Sequence, residues 1–174
     1  MRLIRSIVLA ALCLATAVPA YADFTFIVGS NTTPSKRTVK GFALGGGGMI
    51  ATEFEYANNG QDTEDGAPGL RTLMGNLLVQ TPIAVAGFQP YATVGIGYYR
   101  EKFELDPDVP AGGDAAGLSA DHQESGLVFN SGVGVKRNIF GPLKVRIDYR
   151  VLKLRGEPLY GTVHRVYSGV HLAF

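Results

Sequence analysis

The chain has 174 residues, 46% of them hydrophobic, with 23 glycines, one cysteine, no tryptophan and a net charge of +1 from 16 basic and 15 acidic residues. So even a balance gives no electrostatic reason for a nucleic-acid partner or a polybasic membrane contact, and a single cysteine rules out a disulfide framework within the chain. No apolar run beyond the N-terminal segment approaches the length of a transmembrane helix.

The first 22 residues read as a processing signal. MRLIR carries Arg2 and Arg5, the run SIVLAALCLATAV is apolar but too short to cross a bilayer, and Ala20-Tyr21-Ala22 supplies the small residues of a cleavage site. The expected division is residues 1–22 as signal peptide and 23–174 as one mature domain. Cys13 falls inside the signal and follows Leu12, where a lipid-attachment site would need a small residue. Two of the 16 basic residues and none of the 15 acidic ones leave with this segment, so the net charge moves from +1 to −1.

Beyond residue 22 apolar residues recur at every second position, which is strand periodicity. DFTFIVG, 23–29, begins at once. TVKGFALGG, 38–46, sets Phe42 and Leu44 against Gly41, Ala43 and Gly45. IATEFEYA, 50–57, sets Ile50, Phe54 and Tyr56 against Glu53 and Glu55. RTLMGNLLVQ, 71–80, sets Leu73, Leu77 and Val79 against Thr72, Met74, Asn76 and Gln80. QPYATVGIGYYR, 89–100, sets Ala92, Val94, Ile96 and Tyr98 against Tyr91, Thr93, Gly95, Gly97 and Tyr99. GLVFNSGVGVK, 126–136, sets Leu127, Phe129, Ser131, Val133 and Val135 against Gly126, Val128, Asn130, Gly132, Gly134 and Lys136. LKVRIDYRV, 143–151, is the cleanest: Leu143, Val145, Ile147, Tyr149 and Val151 oppose Lys144, Arg146, Asp148 and Arg150. HRVYSGVHLAF, 164–174, places Val166, Ser168, Val170, Leu172 and Phe174 on one face.

Alternation alone suits a soluble sandwich as well as an inverted barrel. The second face decides between them, because it is repeatedly glycine or a polar residue rather than large aliphatics. Glycine in a narrow interior leaves room for Tyr91, Arg146 and Arg150. The expected fold is therefore all-β: an eight-stranded antiparallel up-and-down transmembrane β-barrel, apolar outside and polar within, its strands near the 9–11 residues a tilted crossing needs. Longer polar loops at 30–37, 58–70, 101–123 and 153–163 alternate with shorter turns at 47–49, 81–88 and 137–142. That asymmetry puts the long loops outside the cell and both termini in the periplasm. Phe88, Phe140 and Phe174 fall at one end of the strands and Tyr56, Tyr98 and Tyr160 at or near the other, as aromatic girdles would. A barrel has no free edge, so the last strand must pair with the first.

The segments NLLVQTPIAVAGFQPYATVGIGYYRE and GLVFNSGVGVKRNIFGPLKVRIDYRVLKL, followed by a closing strand that ends in Phe174, resemble the outer-membrane beta-barrel domain family, the OmpA/OmpX-like and opacity-protein-like small barrels. The likeness is strongest over 76–100 and 126–174. It implies a bacterial outer-membrane location and a C-terminal strand read by the barrel-assembly machinery, with Val170, Leu172 and Phe174 in the signature positions and Ser168 departing from it. It transfers no catalytic site.

Glu53, Glu55, Lys136, Lys144, Arg146, Asp148, Arg150 and Arg165 are expected to share the lumen. An eight-stranded barrel is just wide enough to be filled by its own side chains, and buried charges must be paired. The expectation is a plug of Glu–Arg pairs in a monomeric, non-enzymatic barrel, embedded in outer-membrane lipid, with a structural or surface-interaction role and loops able to meet an extracellular ligand. A narrow passive channel gated by the same charges is the alternative. A lipid A-modifying enzyme is the lesser one: loop three holds Ser119, Asp121, His122 and Glu124, and His164 follows Glu157, but nothing places a base beside a nucleophile. His122, His164 and His171 lack metal-ligand spacing, and GFALGGGG lacks the GK[ST] of a phosphate loop. No cofactor, metal or nucleic-acid partner is expected.

Overall fold

The computed structural model describes residues 22–63, 65–104 and 121–173. The signal-peptide reading and Phe174 lie outside these residues. Eight strands run in chain order: β1 (Ala22–Asn31), β2 (Arg37–Gly47), β3 (Ile50–Asn59), β4 (Gly69–Gln80), β5 (Phe88–Glu104), β6 (Asp121–Phe140), β7 (Leu143–Leu154) and β8 (Thr162–Ala173). Each pairs antiparallel with its sequence neighbours, and β8 returns to β1, closing the barrel. The closing register runs from Asp23 opposite Ala173 to Asn31 opposite Arg165. With that ladder formed, no strand presents an open edge.

All eight expected strands are present, each somewhat longer than the alternation suggested, and two of them much longer. β5 has 17 residues and β6 has 20. They pair from Phe88 opposite Arg137 to Glu104 opposite Asp121, so both ends of the expected 101–123 loop, 101–104 and 121–123, are ladder. Polar residues such as Lys102 and Gln123 look like loop by composition, yet they pair as strand because the two chains continue beyond the apolar band. At the other end the expected 137–142 turn shrinks to Gly141 and Pro142. β6 continues through Phe140 with a register shift between Asn138 and Phe140, and Gly141 takes a φ of 54° that a side chain would resist. In the 81–87 connection Val85 and Phe88 exchange backbone hydrogen bonds of 2.8 and 3.0 Å around Ala86 and Gly87. Both central residues have positive φ, 52° and 81°, the twist that suits a two-residue hairpin.

Side chains face as the period-two pattern requires. Phe54 is 69% exposed, whereas its neighbours Glu53 and Glu55 are 6% and 2% exposed. Outward lie Phe24, Phe26, Phe42, Leu44, Leu77, Val94, Ile96, Val133, Ile147 and Val170, all substantially exposed. Phe24, Phe42 and Tyr56 form an aromatic row across β1, β2 and β3, with ring centroids 6.4 and 5.6 Å apart. Phe88 and Phe140 are exposed at one end of the barrel and Tyr98 toward the other.

Inside, the glycines create space. A Cβ on Gly132 would sit 2.8 Å from Arg150 Cγ, one on Gly134 would run into the Tyr91 ring, and one on Gly169 would lie 3.2 Å from Arg146 Cγ. The interior is less uniformly polar than the sequence implied. Leu70, Met74, Tyr99, Val128, Leu152, Leu154 and Val163 form a buried apolar cluster toward the end that carries the long loops. Smaller clusters, Ile27 with Ala43 and Tyr167, and Ala51 with Leu78 and Tyr91, lie elsewhere in the lumen.

Candidate functional site

The feature that invites chemical interpretation is the charged belt across the lumen. β7 supplies Arg146, Asp148 and Arg150 on one inward face, β3 supplies Glu53 and Glu55, and β8 supplies Arg165, because alternation sends every second residue inward. Arg146 donates to both oxygens of Glu53, its Nη2 lying 3.2 Å from Glu53 Oε1. Its Nε donates to Asp148 Oδ2 at 2.8 Å. Arg150 Nη2 donates to Glu53 Oε1 at 3.1 Å, and its Nη1 lies 2.8 Å from Glu55 Oε2. Arg165 Nη1 is 3.6 Å from Glu55 Oε1, and its Nε donates to Asn31 Oδ1 at 2.9 Å. Three guanidinium groups thus face three carboxylates, and the belt is neutral.

Tyrosines and amides complete it. Tyr91 donates its hydroxyl to Asp148 at 2.6 Å, and Tyr167 donates to Glu55 at 2.8 Å. Arg146 lies 5.9 Å from the Tyr91 ring centroid and 5.8 Å from that of Tyr167; Arg150 lies 5.2 Å from the Tyr167 ring. Asn130 donates to Asn76 at 2.6 Å, and Asn76 to Glu53 at 3.4 Å. Residues of β1, β3, β4, β5, β6, β7 and β8 are therefore tied together. The three arginines are each 1% exposed. Desolvating such groups costs several kcal/mol per ion, so geometry of this quality is what keeps them inside.

Of the eight lumen residues expected from the sequence, the belt brings together Glu53, Glu55, Arg146, Asp148, Arg150 and Arg165. Lys136 is buried below it, 3.3 Å from Gln80 Oε1 and 5.1 Å from the Tyr91 ring centroid. Lys144 stays outside the network, half-buried at the barrel mouth. There, with Lys136, Asp23, Gln80 and Gln89, it lines a pocket of about 280 Å³. Alternation placed Lys144 on the correct face but could not report its height, since the last inward residue of a strand faces open water.

Several partners escaped the sequence reading. Tyr167, Asn31 and Thr72 are inward by parity yet uncharged, so charge pattern did not flag them. His171 is buried, its Nδ1 2.9 Å from Thr25 Oγ1 and its Nε2 3.1 Å from Asp23 Oδ1, a tie across the β1–β8 seam. At the loop end Arg37 donates to the carbonyl of Pro68, and Glu101 accepts from Leu159 N at 3.0 Å.

The enzyme alternative can be followed residue by residue. His164 faces outward with its Nδ1 2.7 Å from the Tyr149 hydroxyl, and among the described residues no acidic side chain joins it. Glu157 meets Glu124 only through its backbone N, at 3.4 Å. Ser119 and the side chains of Asp121 and His122 lie outside the described residues. Among the described residues no cluster of His, Cys, Asp and Glu is arranged to hold a metal ion.

No family model and no curated protein matches the sequence. Solved structures do match. The N-terminal β-barrel domain of Pseudomonas aeruginosa OprF superposes with a TM-score of 0.63 at 11% identity, covering 88% of this chain and 96% of that one. Neisserial surface protein A gives 0.62 at 13% identity, covering 89% and 96%. Ail, the attachment invasion locus protein of Yersinia pestis, gives 0.51 at 11% identity, covering 88% and 96%. At such identities the likeness is one of architecture, and the chain has the fold of the small eight-stranded outer-membrane β-barrels.

Proposed function

We propose that this protein is an integral barrel of a bacterial outer membrane, monomeric and non-enzymatic, whose lumen is sealed and whose work is done at its surface. The single observation that carries the reading is the inversion of polarity. The exterior between the strand ends is dominated by Phe, Leu, Ile, Val and Tyr, while the closed interior holds six paired charges. An apolar belt running right round a barrel is untenable in water and fits hydrocarbon. The neighbours in structure are outer-membrane proteins, which supports the same location. Residues 1–22 are the export signal. Val170 and Leu172 near the end of β8, with Phe174 two positions on in the sequence, are the signature read by the assembly machinery, and the long loops are the surface offered to extracellular partners.

The test is single-channel recording of the chain refolded into planar bilayers, with folding verified by resistance of the barrel to SDS at low temperature. A sealed barrel is expected to give no conductance steps. Regular steps from folded protein would instead establish the narrow channel and overturn the sealed reading.

A further inference from the structure

The rim of the barrel beside β4 and β5 carries charges that the lumen does not explain. Arg71 and Arg100 are directly opposite each other in the β4–β5 ladder, and both are exposed on the outer surface. Like charges in that position repel, and among the described residues neither arginine has an acidic partner. Lys102 follows on the same face, opposite Gly69. With Asn58, Gln61 and Gln123 these three cations line a pocket of about 370 Å³. Asp62 and Asp65 of the adjacent loop are not part of its lining. Nearly everything that faces the pocket can donate hydrogen bonds. Gly60 and Gly69 lie in its wall, and a Cβ on Gly60 would meet nothing within 4 Å.

Below it lies a second cavity of different character. Tyr56, Leu73 and Tyr98 form an apolar groove of about 290 Å³, and Arg71 and Arg100 line this cavity too. Leu73 and Tyr98 are 57% and 64% exposed. The two guanidinium groups therefore separate a donor-rich pocket from an apolar groove at the top of the apolar belt. An amphiphile with an anionic head and an acyl chain fits both halves together. A soluble anion would use the upper half alone, and a hydrocarbon only the lower. Two planar guanidinium forks side by side match the oxygens of a phosphate better than a carboxylate, which one fork already satisfies.

We propose that Arg71, Arg100 and Lys102 form a binding site for the phosphate-ester headgroup of an outer-leaflet lipid, with Tyr56, Leu73 and Tyr98 holding the upper part of its acyl chain. The site rests on the outer-membrane reading above and gives the barrel a fixed lipid contact on one side.

The experiment is native mass spectrometry of the protein extracted in detergent from the outer membrane of an expressing Gram-negative host. The probes are a bisphosphorylated acylated diglucosamine lipid, the same lipid with its phosphates removed, and inorganic phosphate. The wild type is expected to retain the phosphorylated lipid over the dephosphorylated one by about tenfold or more, the factor that one or two charge-assisted hydrogen bonds supply. Arg71→Gln with Arg100→Gln is expected to abolish that preference. Arg71→Lys with Arg100→Lys keeps the charge without the fork and is expected to retain part of it. Arg137→Gln, which removes an exposed cation stacked on Phe88 at the other end of the barrel, is expected to leave it unchanged. Equal preference in the wild type and the paired Gln variant would overturn the site. Displacement of the lipid by equimolar inorganic phosphate would overturn its assignment to a lipid. A chain absent from the membrane fraction would overturn the outer-membrane reading, and this site with it.

Discussion

Arg146 shows how a full charge is kept inside a narrow barrel. It is ion-paired to Glu53 and to Asp148, it lies near the rings of Tyr91 and Tyr167, and it is 1% exposed. Replacing it with Met keeps much of the volume but leaves Glu53 and Asp148 sharing the remaining contacts of Arg150, at 3.1 and 3.5 Å. Three carboxylates, Glu53, Glu55 and Asp148, would then share the two guanidinium groups of Arg150 and Arg165 in a site shut off from water. Breaking one partner out of a buried pair costs about 3–5 kcal/mol, and Arg146→Met is expected to lose an amount in that range. The midpoint of urea unfolding in lipid vesicles measures it. Arg146→Lys is expected to rescue only part, since a point charge cannot bond Glu53 and Asp148 as the planar fork does. The glycines opposite are part of the same design. Arg150 can lie flat against β6 because Gly132 has no side chain.

Each strand carries two surfaces with opposite requirements, so the effect of one substitution depends on parity and on height along the strand. Val94 is outward, 56% exposed and in the middle of β5, opposite Leu77 and Ser131. Leu172 is outward, 44% exposed and at the end of β8. In hydrocarbon, Val94→Arg is expected to cost about 2–4 kcal/mol and Leu172→Arg about 0–1, because the penalty falls toward the interface. Equilibrium unfolding of the two variants in vesicles gives both numbers. Equal costs at the two heights would mean that the exterior is not in contact with a bilayer. The seam between β1 and β8 has its own tie, Asp23–His171–Thr25, between the elements most distant in sequence.

Two unlike layers fill the lumen. The charged belt is one, and the apolar cluster of Leu70, Met74, Tyr99, Val128, Leu152, Leu154 and Val163 is the other. Cutting the first should not open the second. Arg146→Ser with Arg150→Ser is therefore expected to remain electrically silent in planar bilayers although the belt is broken. Adding Met74→Gly and Leu152→Gly is expected to produce steps. Recordings on the two variants decide it, and conductance from the Ser pair alone would assign the seal to the ion pairs.

The sequence by itself determined the strands, their number and the facing of nearly every side chain. A strand has a period of two, and a chain such as LKVRIDYRV leaves no second way to separate its charges from its aliphatics. It also placed Glu53, Glu55, Arg146, Asp148, Arg150 and Arg165 in one lumen. It could not say which of them touch, because pairing across the barrel depends on the register of every ladder between them, and one residue of slip in any ladder changes the height. For the same reason it set Lys144 in the belt rather than at the mouth, and did not separate the apolar layer from the charged one. The extension of β5 and β6 past the apolar band, and the meeting of Arg71 with Arg100 at the rim, were likewise decided only by tertiary structure: both depend on which residue stands opposite which, and a period of two records the face of a residue but never its partner.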